Sequence, residues 1–509
     1  NSMTTEEKAP QKDGYIGVSK DDKSTIIILL ILYTLQGIPI GLAMSIALLL
    51  QKKNVTYKEQ AMFSIVGWPY SLKLLWAPIV DSLYWKYMGR RKSWLISTQY
   101  VIGILMLILS FHVSDIFGDA NDYPNVFYLT IAFFILNFLC ATQDVAVDGW
   151  ALTMLSRQNV GYATVCNSAG LRIGFFFGNI VYLILESPEF CNQYLRSVSR
   201  PEGLITLSGF LKVSGVIFLI VTTFILIYKS ESEEINSEIP GVRDTYSQIY
   251  HIVCLKSVIK LAIFLMTYQI AFVAVEAVSK LKFIEAGVHT ETMALLEIPM
   301  TPFAVIVSLY ISRFAVGLNC FKVFLKAFPI KLLFGVLFAF LVSWTYNVKL
   351  ESGGFPTYYY VVIVLSFTLH QAVVVCLHIS VGSFLNRVSD PAIGGTYMTI
   401  LNTFLNLGRN WSSTVALWLV DVLTYKTCEN PIYNCNNAET ASKCMAAGHK
   451  CLTTVDGFSV ESVACVIFGF LWLRWGRKVI VKLQGTLSSD WKTTKCIQLQ
   501  NLESIVSKS

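Results

Sequence analysis

From Ser24 to Leu50 the chain carries no Asp, Glu, Lys or Arg. A run of that kind exceeds the roughly 20 apolar residues that cross a hydrocarbon core, and in lipid a helix satisfies every backbone N–H and C=O within its own segment. A buried helix of a soluble enzyme would instead turn a polar face outward every few residues. Eleven further apolar runs follow, near 57–80, 94–113, 126–151, 162–185, 207–227, 258–283, 293–314, 331–346, 358–384, 396–423 and 460–475. Composition agrees, since 14% of the 509 residues are charged against about 25% in soluble chains. The chain therefore reads as an all-α membrane protein of about twelve transmembrane helices with little left over for a soluble domain.

An even number of crossings puts both termini on one side. Lys86, Arg90, Arg91, Lys92, Arg157, Arg313, Arg387, Arg474, Arg477 and Lys478 fall on that side, which the positive-inside rule makes cytosolic, although Lys52, Lys53 and Lys58 run against the trend. The stretch 230–256, with Ser, Glu and Pro between apolar runs, divides the chain into two six-helix halves, 24–229 and 257–476. A polar, disordered stretch 1–23 precedes them, and a tail 477–509 follows. Asn1 and Ser2 stand before Met3, which reads as the natural start, and are set aside as added residues. Transporters are often built from two such halves with the substrate site between them. An internal echo supports this: Tyr162, Thr164 and Asn167 followed by Ser168 recur as Tyr397, Thr399 and Asn402 followed by Thr403, in the two helices that this scheme pairs.

Cys428, Cys435, Cys444 and Cys451 sit in one loop, 425–456, on the side opposite the basic loops. Four cysteines there suit two disulfides in an oxidising compartment, with three pairings open; their gaps are wider than those of zinc sites.

Ionisable residues inside membrane helices are costly unless paired or facing water, so each is a functional candidate. Asp144 and Asp148 share a helix face at i and i+4, next to Gln143. Lys73, Arg172, Lys282 and Arg409 are intramembrane cations that together would neutralise a multiply charged anion. Thr399, Asn402, Asn406, Arg409 and Asn410 form one polar stripe. Glu276 faces Lys280 at i+4, and His370 completes the set with His378. Tyr70 and Tyr268 offer rings for a stacked base. Asp81, then Gly89, Arg90, Arg91 and Lys92, resembles the signature loop of the major facilitator superfamily, a charge-assisted latch between helix ends. No phosphate loop, HExxH or GxSxG is present, which argues against an enzyme.

Longer motifs point to a family. The run Leu35 to Pro39, SLKLLWAPIVD from Ser71, GRRKSW from Gly89, ATQDVAVDGWALTMLS from Ala141, NVGYATVCNS from Asn159, SDPAIGGTYMTILN from Ser389 and STVALWLVD from Ser413 closely resemble the acetyl-coenzyme A transporters of the endoplasmic reticulum, with the four-cysteine loop included. That resemblance implies a major facilitator fold and a carrier, not an enzyme, that brings cytosolic acetyl-CoA into the lumen of the endoplasmic reticulum or Golgi for acetylation there. It implies no cofactor and no nucleic-acid partner, and a multi-pass protein of the endoplasmic reticulum with both termini cytosolic. Neutral residues can stand at the positions of Arg172 and Arg409 in the family, which shifts weight to Lys73 and Lys282 as substrate-binding residues. Tyr70, Gln143, Asn167, Arg172, Tyr268, His370, Asn402, Asn406 and Arg409 remain candidates beside them. Asp81, Arg90, Arg91, Lys92, Asp144, Asp148 and Glu276 are candidates for gating or coupling. Another organic anion, such as a glutathione species or nucleotide conjugate, is the alternative cargo, and a membrane-bound acetyltransferase the alternative class.

Overall fold

A computed structural model describes residues 20–85, 87–118, 122–155, 161–231, 242–312, 320–350, 354–389, 394–429, 435, 440, 443, 444, 446, 447, 449, 451–486 and 488–491. The chain is almost wholly helical. Among the described residues nine helices are long and apolar enough to cross a membrane, and Val242–Val253 with Lys256–Phe272, bent by 77° between them, meet the same measure as a pair.

Two of the twelve crossings expected from sequence fail that test for reasons visible in their residues. The second span is broken into Tyr57–Ser64, Trp68–Leu72 and Ala77–Ser82 by tight turns at Ile65–Gly67 and Lys73–Leu75. Pro69 and Pro78 each fall in the first turn of a new segment, where the missing N–H costs nothing. The eleventh span, Gly394–Leu423, is one continuous helix, but its polar stripe lowers its hydropathy. With these two, the described residues hold twelve crossing segments in two sets of six.

The first span, Lys20–Lys52, lies along the fifth, which begins as Gly161–Phe175 and ends as Tyr182–Glu186. Their crossing is set by small residues: Gly37 and Gly41 face Gly170, Gly174 and Gly178 at steps of four. A Cβ on Gly174 would sit 2.0 Å from the Thr34 carbonyl oxygen and 2.7 Å from the Gly37 Cα. Backbone cannot yield as a flexible side chain can. Gly174→Ala is therefore expected to destabilise the protein by about 1–3 kcal/mol. Gly485→Ala, with nothing within 4 Å of its Cβ, is the control. An equal melting temperature for the two variants would remove the crossing as the tight point.

The third span, Arg90–Phe117, packs between the fourth, Val126–Met154, and the sixth, Leu207–Tyr228. In the second half the seventh span runs from Lys256 to Glu285 with two irregular turns, and the eighth is Thr290–Leu295 with Glu297–Ser312. The tenth span is Thr357–Val388. The ninth is Cys320–Val348, eleven residues longer at its start than its apolar run suggested, so Lys331 lies inside it. The twelfth, Gly457–Gly485, extends well past the expected 475. The first nine residues of the expected tail, 477–485, are thus helix, and Trp491 beyond them is buried against Phe384.

The loop 425–456 is more ordered than a plain connection. Tyr425–Cys428 and Cys451–Val455 pair as an antiparallel hairpin. Cys428 is joined to Cys444, and Cys435 to Cys451. This resolves the three open pairings in favour of one.

Candidate functional site

Between the halves lies a cavity of about 330 Å³. The first half lines it with Gln36, Ile40, Tyr70, Lys73, Asp144, Asp148, Asn167 and Leu171; the eleventh span supplies Thr399, Asn402, Thr403 and Asn406. The repeated motif explains the symmetry, because its two asparagines, Asn167 and Asn402, reach the same space from opposite halves.

Lys73 stands where the second span unwinds, in the turn Lys73–Leu75. Its ammonium contacts Asp144 and lies 3.8 Å from Asp148 Oδ2. Gln36 Nε2 donates to the other Asp144 oxygen at 2.6 Å. Tyr33 OH and Asn167 Nδ2 donate to Asp148 Oδ1 at 2.8 and 3.0 Å. The two carboxylates are thus held by donors from three neighbouring helices, as charges within a membrane span must be. Formally this cluster has one cation against two anions.

The second half carries the opposite balance. Glu276 is bound to Lys331, not to Lys280 as the i,i+4 spacing suggested, because Lys331 projects from the middle of the ninth span. The Lys331 ammonium also lies 4.2 Å from the centre of the Phe272 ring. Arg409 Nη2 is 2.8 Å from His378 Nε2. Among the described residues Lys331 and Arg409 lie near the Glu276 carboxylate, and Lys280 near His370, though none of these four charged groups lines the cavity. In the sequence Lys331 stands at the edge of the apolar run 331–346, which gives no sign that it lies inside the helix.

Several expected binding residues sit elsewhere. Lys282 is 3% exposed and lies 2.9 Å from Glu285 and 2.7 Å from Asp456, at the end of the seventh span nearest the cysteine loop. It does not line the cavity, and its charge is already matched. Tyr57 of the first half caps this cluster: its ring centre is 4.9 Å from the Lys282 ammonium, and its OH donates to Glu285 at 2.7 Å. Lys282 is therefore part of a clasp between halves. Further along, Asn410 donates to the Gly67 carbonyl and Ser71 Oγ, and Ser64 bonds Thr414. Tyr268 is also a correction: it is 4% exposed among Phe264, Phe324 and Trp472, a packing residue with no free face for a base. His370 is likewise buried, edge-on to Phe334 and Phe338. Gln143 is fully buried, with neither side-chain polar atom partnered among the described residues. Arg172 follows Leu171 on the fifth span and is exposed.

The basic loop also engages an acid beyond the sixth span. The Glu231 carboxylate, beyond the sixth span, accepts from the backbone N–H of Arg91 and Lys92 at 2.9 to 3.1 Å, closing the N-terminus of the third span. Lys92 Nζ donates to the Leu226 carbonyl at 2.9 Å. The Arg91 guanidinium lies over Gly149, one residue past Asp148, while Arg90 opens the third span. The side chain of Asp81, the expected partner, lies outside the described residues.

The profile of the family described as acetyl-coenzyme A transporter 1 matches residues 25–245, 232–323 and 319–493. An uncharacterized protein of Schizosaccharomyces pombe is 34% identical over 455 residues, covering 88% of this chain and 85% of its own. An uncharacterized membrane protein of Saccharomyces cerevisiae is 31% identical over 551 residues, covering 94% of this chain and 98% of its own. Among solved structures, a bacterial homologue of the human lysosomal transporter Spinster, inward-facing and occupied, is 12% identical with a TM-score of 0.57, covering 93% of this chain and 99% of that one. That likeness concerns the fold alone. A profile match over nearly the whole length, on a fold with a cavity between two six-helix halves, places the chain among transporters, and it belongs to the acetyl-coenzyme A transporter 1 family.

Proposed function

We propose that this protein carries acetyl-CoA from the cytosol into the lumen of the endoplasmic reticulum or Golgi by alternating access of its two halves, without a cofactor. The observation that carries this reading is the cavity shared by both halves, joined on the cysteine-loop side by the Lys282 clasp. The oxidised hairpin suits the lumenal face and the basic loop the cytosolic one, with both termini cytosolic. In this reading the clasp is lumenal, and the described form is the one that faces the cytosol. Acetyl-CoA brings phosphates, which suit the cationic second half, and neutral amides, which suit Gln36, Asn167, Asn402 and Asn406.

One observation favours a second cargo. Two carboxylates beside one lysine also match a zwitterionic peptide such as a glutathione species, with its ammonium at Asp148 and its carboxylate at Lys73. Uptake of labelled acetyl-CoA into sealed proteoliposomes, with coenzyme A, glutathione disulfide and nucleotide conjugates as competitors, separates the two. Saturable acetyl-CoA uptake blocked by coenzyme A supports the first. Uptake of glutathione disulfide alone sinks it. Formation of free coenzyme A with an acetylated acceptor in unsealed membranes would return the acetyltransferase reading.

A further inference from the structure

The second half holds a hydrogen bond whose roles follow from chemistry. Arg409 Nη2 lies 2.8 Å from His378 Nε2, and a guanidinium only donates. Nε2 must therefore accept, so His378 is neutral and carries its proton on Nδ1. His378 is exposed and Arg409 half-buried. The charged groups whose fields reach His378 are Arg409 of the eleventh span, Lys331 of the ninth and Glu276 of the seventh; Lys280 of the seventh acts on His370, one helical stretch away on the same tenth span. The eighth span, which packs along the tenth, has no Asp, Glu, Lys, Arg or His from 298 to 312. Lys331 is engaged by Glu276, whereas Arg409 makes no ion pair among the described residues.

We propose that Arg409 and His378 form an anion seat that takes up one proton together with its ligand. A phosphate or carboxylate group captures the Arg409 guanidinium, and His378 Nε2 loses its donor. Nε2 then accepts a proton from solvent, no bond in the ligand is broken, and the imidazolium becomes a second donor to the anion. Neutral and positive forms of one histidine thus mark the empty and loaded seat. The inference rests on the anionic cargo proposed above, but not on that cargo being acetyl-CoA.

The test is calorimetric binding of adenosine 3′,5′-bisphosphate, and separately of acetyl-CoA, to the purified full-length protein in two buffers of different ionisation enthalpy. Wild type is expected to take up about one proton per bound anion, with affinity falling up to about tenfold per pH unit on the alkaline side. His378→Gln is expected to bind more weakly, without proton uptake and with a flat pH profile; His378→Asn replaces it should that variant fail to fold. Arg409→Lys, which keeps a cationic donor, is expected to retain uptake. Binding to wild type without proton uptake, or undiminished uptake in both histidine variants, overturns the seat. Proton-linked binding of the bisphosphate with none of acetyl-CoA supports the seat and rejects the cargo. Acetyl-CoA binding with no proton uptake does the reverse.

Discussion

Lys73→Ala is expected to abolish solute uptake and to lower stability by about 3 kcal/mol, because it strands two carboxylates that share one ammonium inside the membrane. The Asp144 side chain is 8% exposed and has no other cation within ion-pair reach among the described residues. The two effects separate in a double variant. Lys73→Ala with Asp144→Ala removes charge of both signs, so stability is expected to recover by most of the loss while uptake stays absent. Melting temperature and proteoliposome flux measure the two sides. Uptake that persists in the double variant would show that this cluster holds the helices together and does nothing for the solute.

The second large effect is expected at the clasp. Lys282→Ala leaves Glu285 and Asp456 facing a gap where both had an ammonium, at a cost of about 3–5 kcal/mol for a buried pair broken on one side. Tyr57 belongs to the other half and contacts both Lys282 and Glu285, so part of that cost falls only on the form in which the halves meet there. A difference of about 2 kcal/mol between the two forms changes their ratio roughly 30-fold. The readout is thiol labelling of Ser64→Cys, which is shielded by Thr414 when the halves meet. Labelling from the cysteine-loop side is expected to rise steeply in Lys282→Ala, and less in Tyr57→Phe, which loses one hydrogen bond. Unchanged labelling would make Lys282 a local ion pair with no part in gating.

How far the sequence could be read depended on whether a signal was local. Apolar runs report a helix directly, so twelve crossings and two halves were legible, and so was the cysteine-rich loop. The Asn167 and Asn402 repeat pointed at one cavity because equivalent helices of the two halves approach the same axis. Direction was less legible than position. Lys282 and Lys73 look alike as intramembrane lysines, but one sits at a helix end already held by two carboxylates and the other in a turn at the cavity wall. The Glu276 partner was misread because i,i+4 spacing tells only about neighbours on the same helix, while Lys331 comes from another. Lys322, Lys326, Lys331 and Pro329 depress local hydropathy, which hid the first turns of the ninth span. Tyr268 shows the same limit: an aromatic residue reads alike whether it faces a ligand or three other rings.

The unwound turn at Lys73–Leu75 also bears on what solvent exchange will report. Helical segments in a membrane protect their amide protons through continuous i to i−4 bonding, yet here the Trp76 N–H reaches back only to Lys73, and the ladder restarts at Ala77. Deuterium should therefore enter this short stretch faster than the first and fourth spans that flank it. Since Lys73 lies in that stretch and lines the cavity, a solute that binds there should slow the exchange. Protection at these few amides, free or loaded, would then register occupancy of the cavity without a label on the solute.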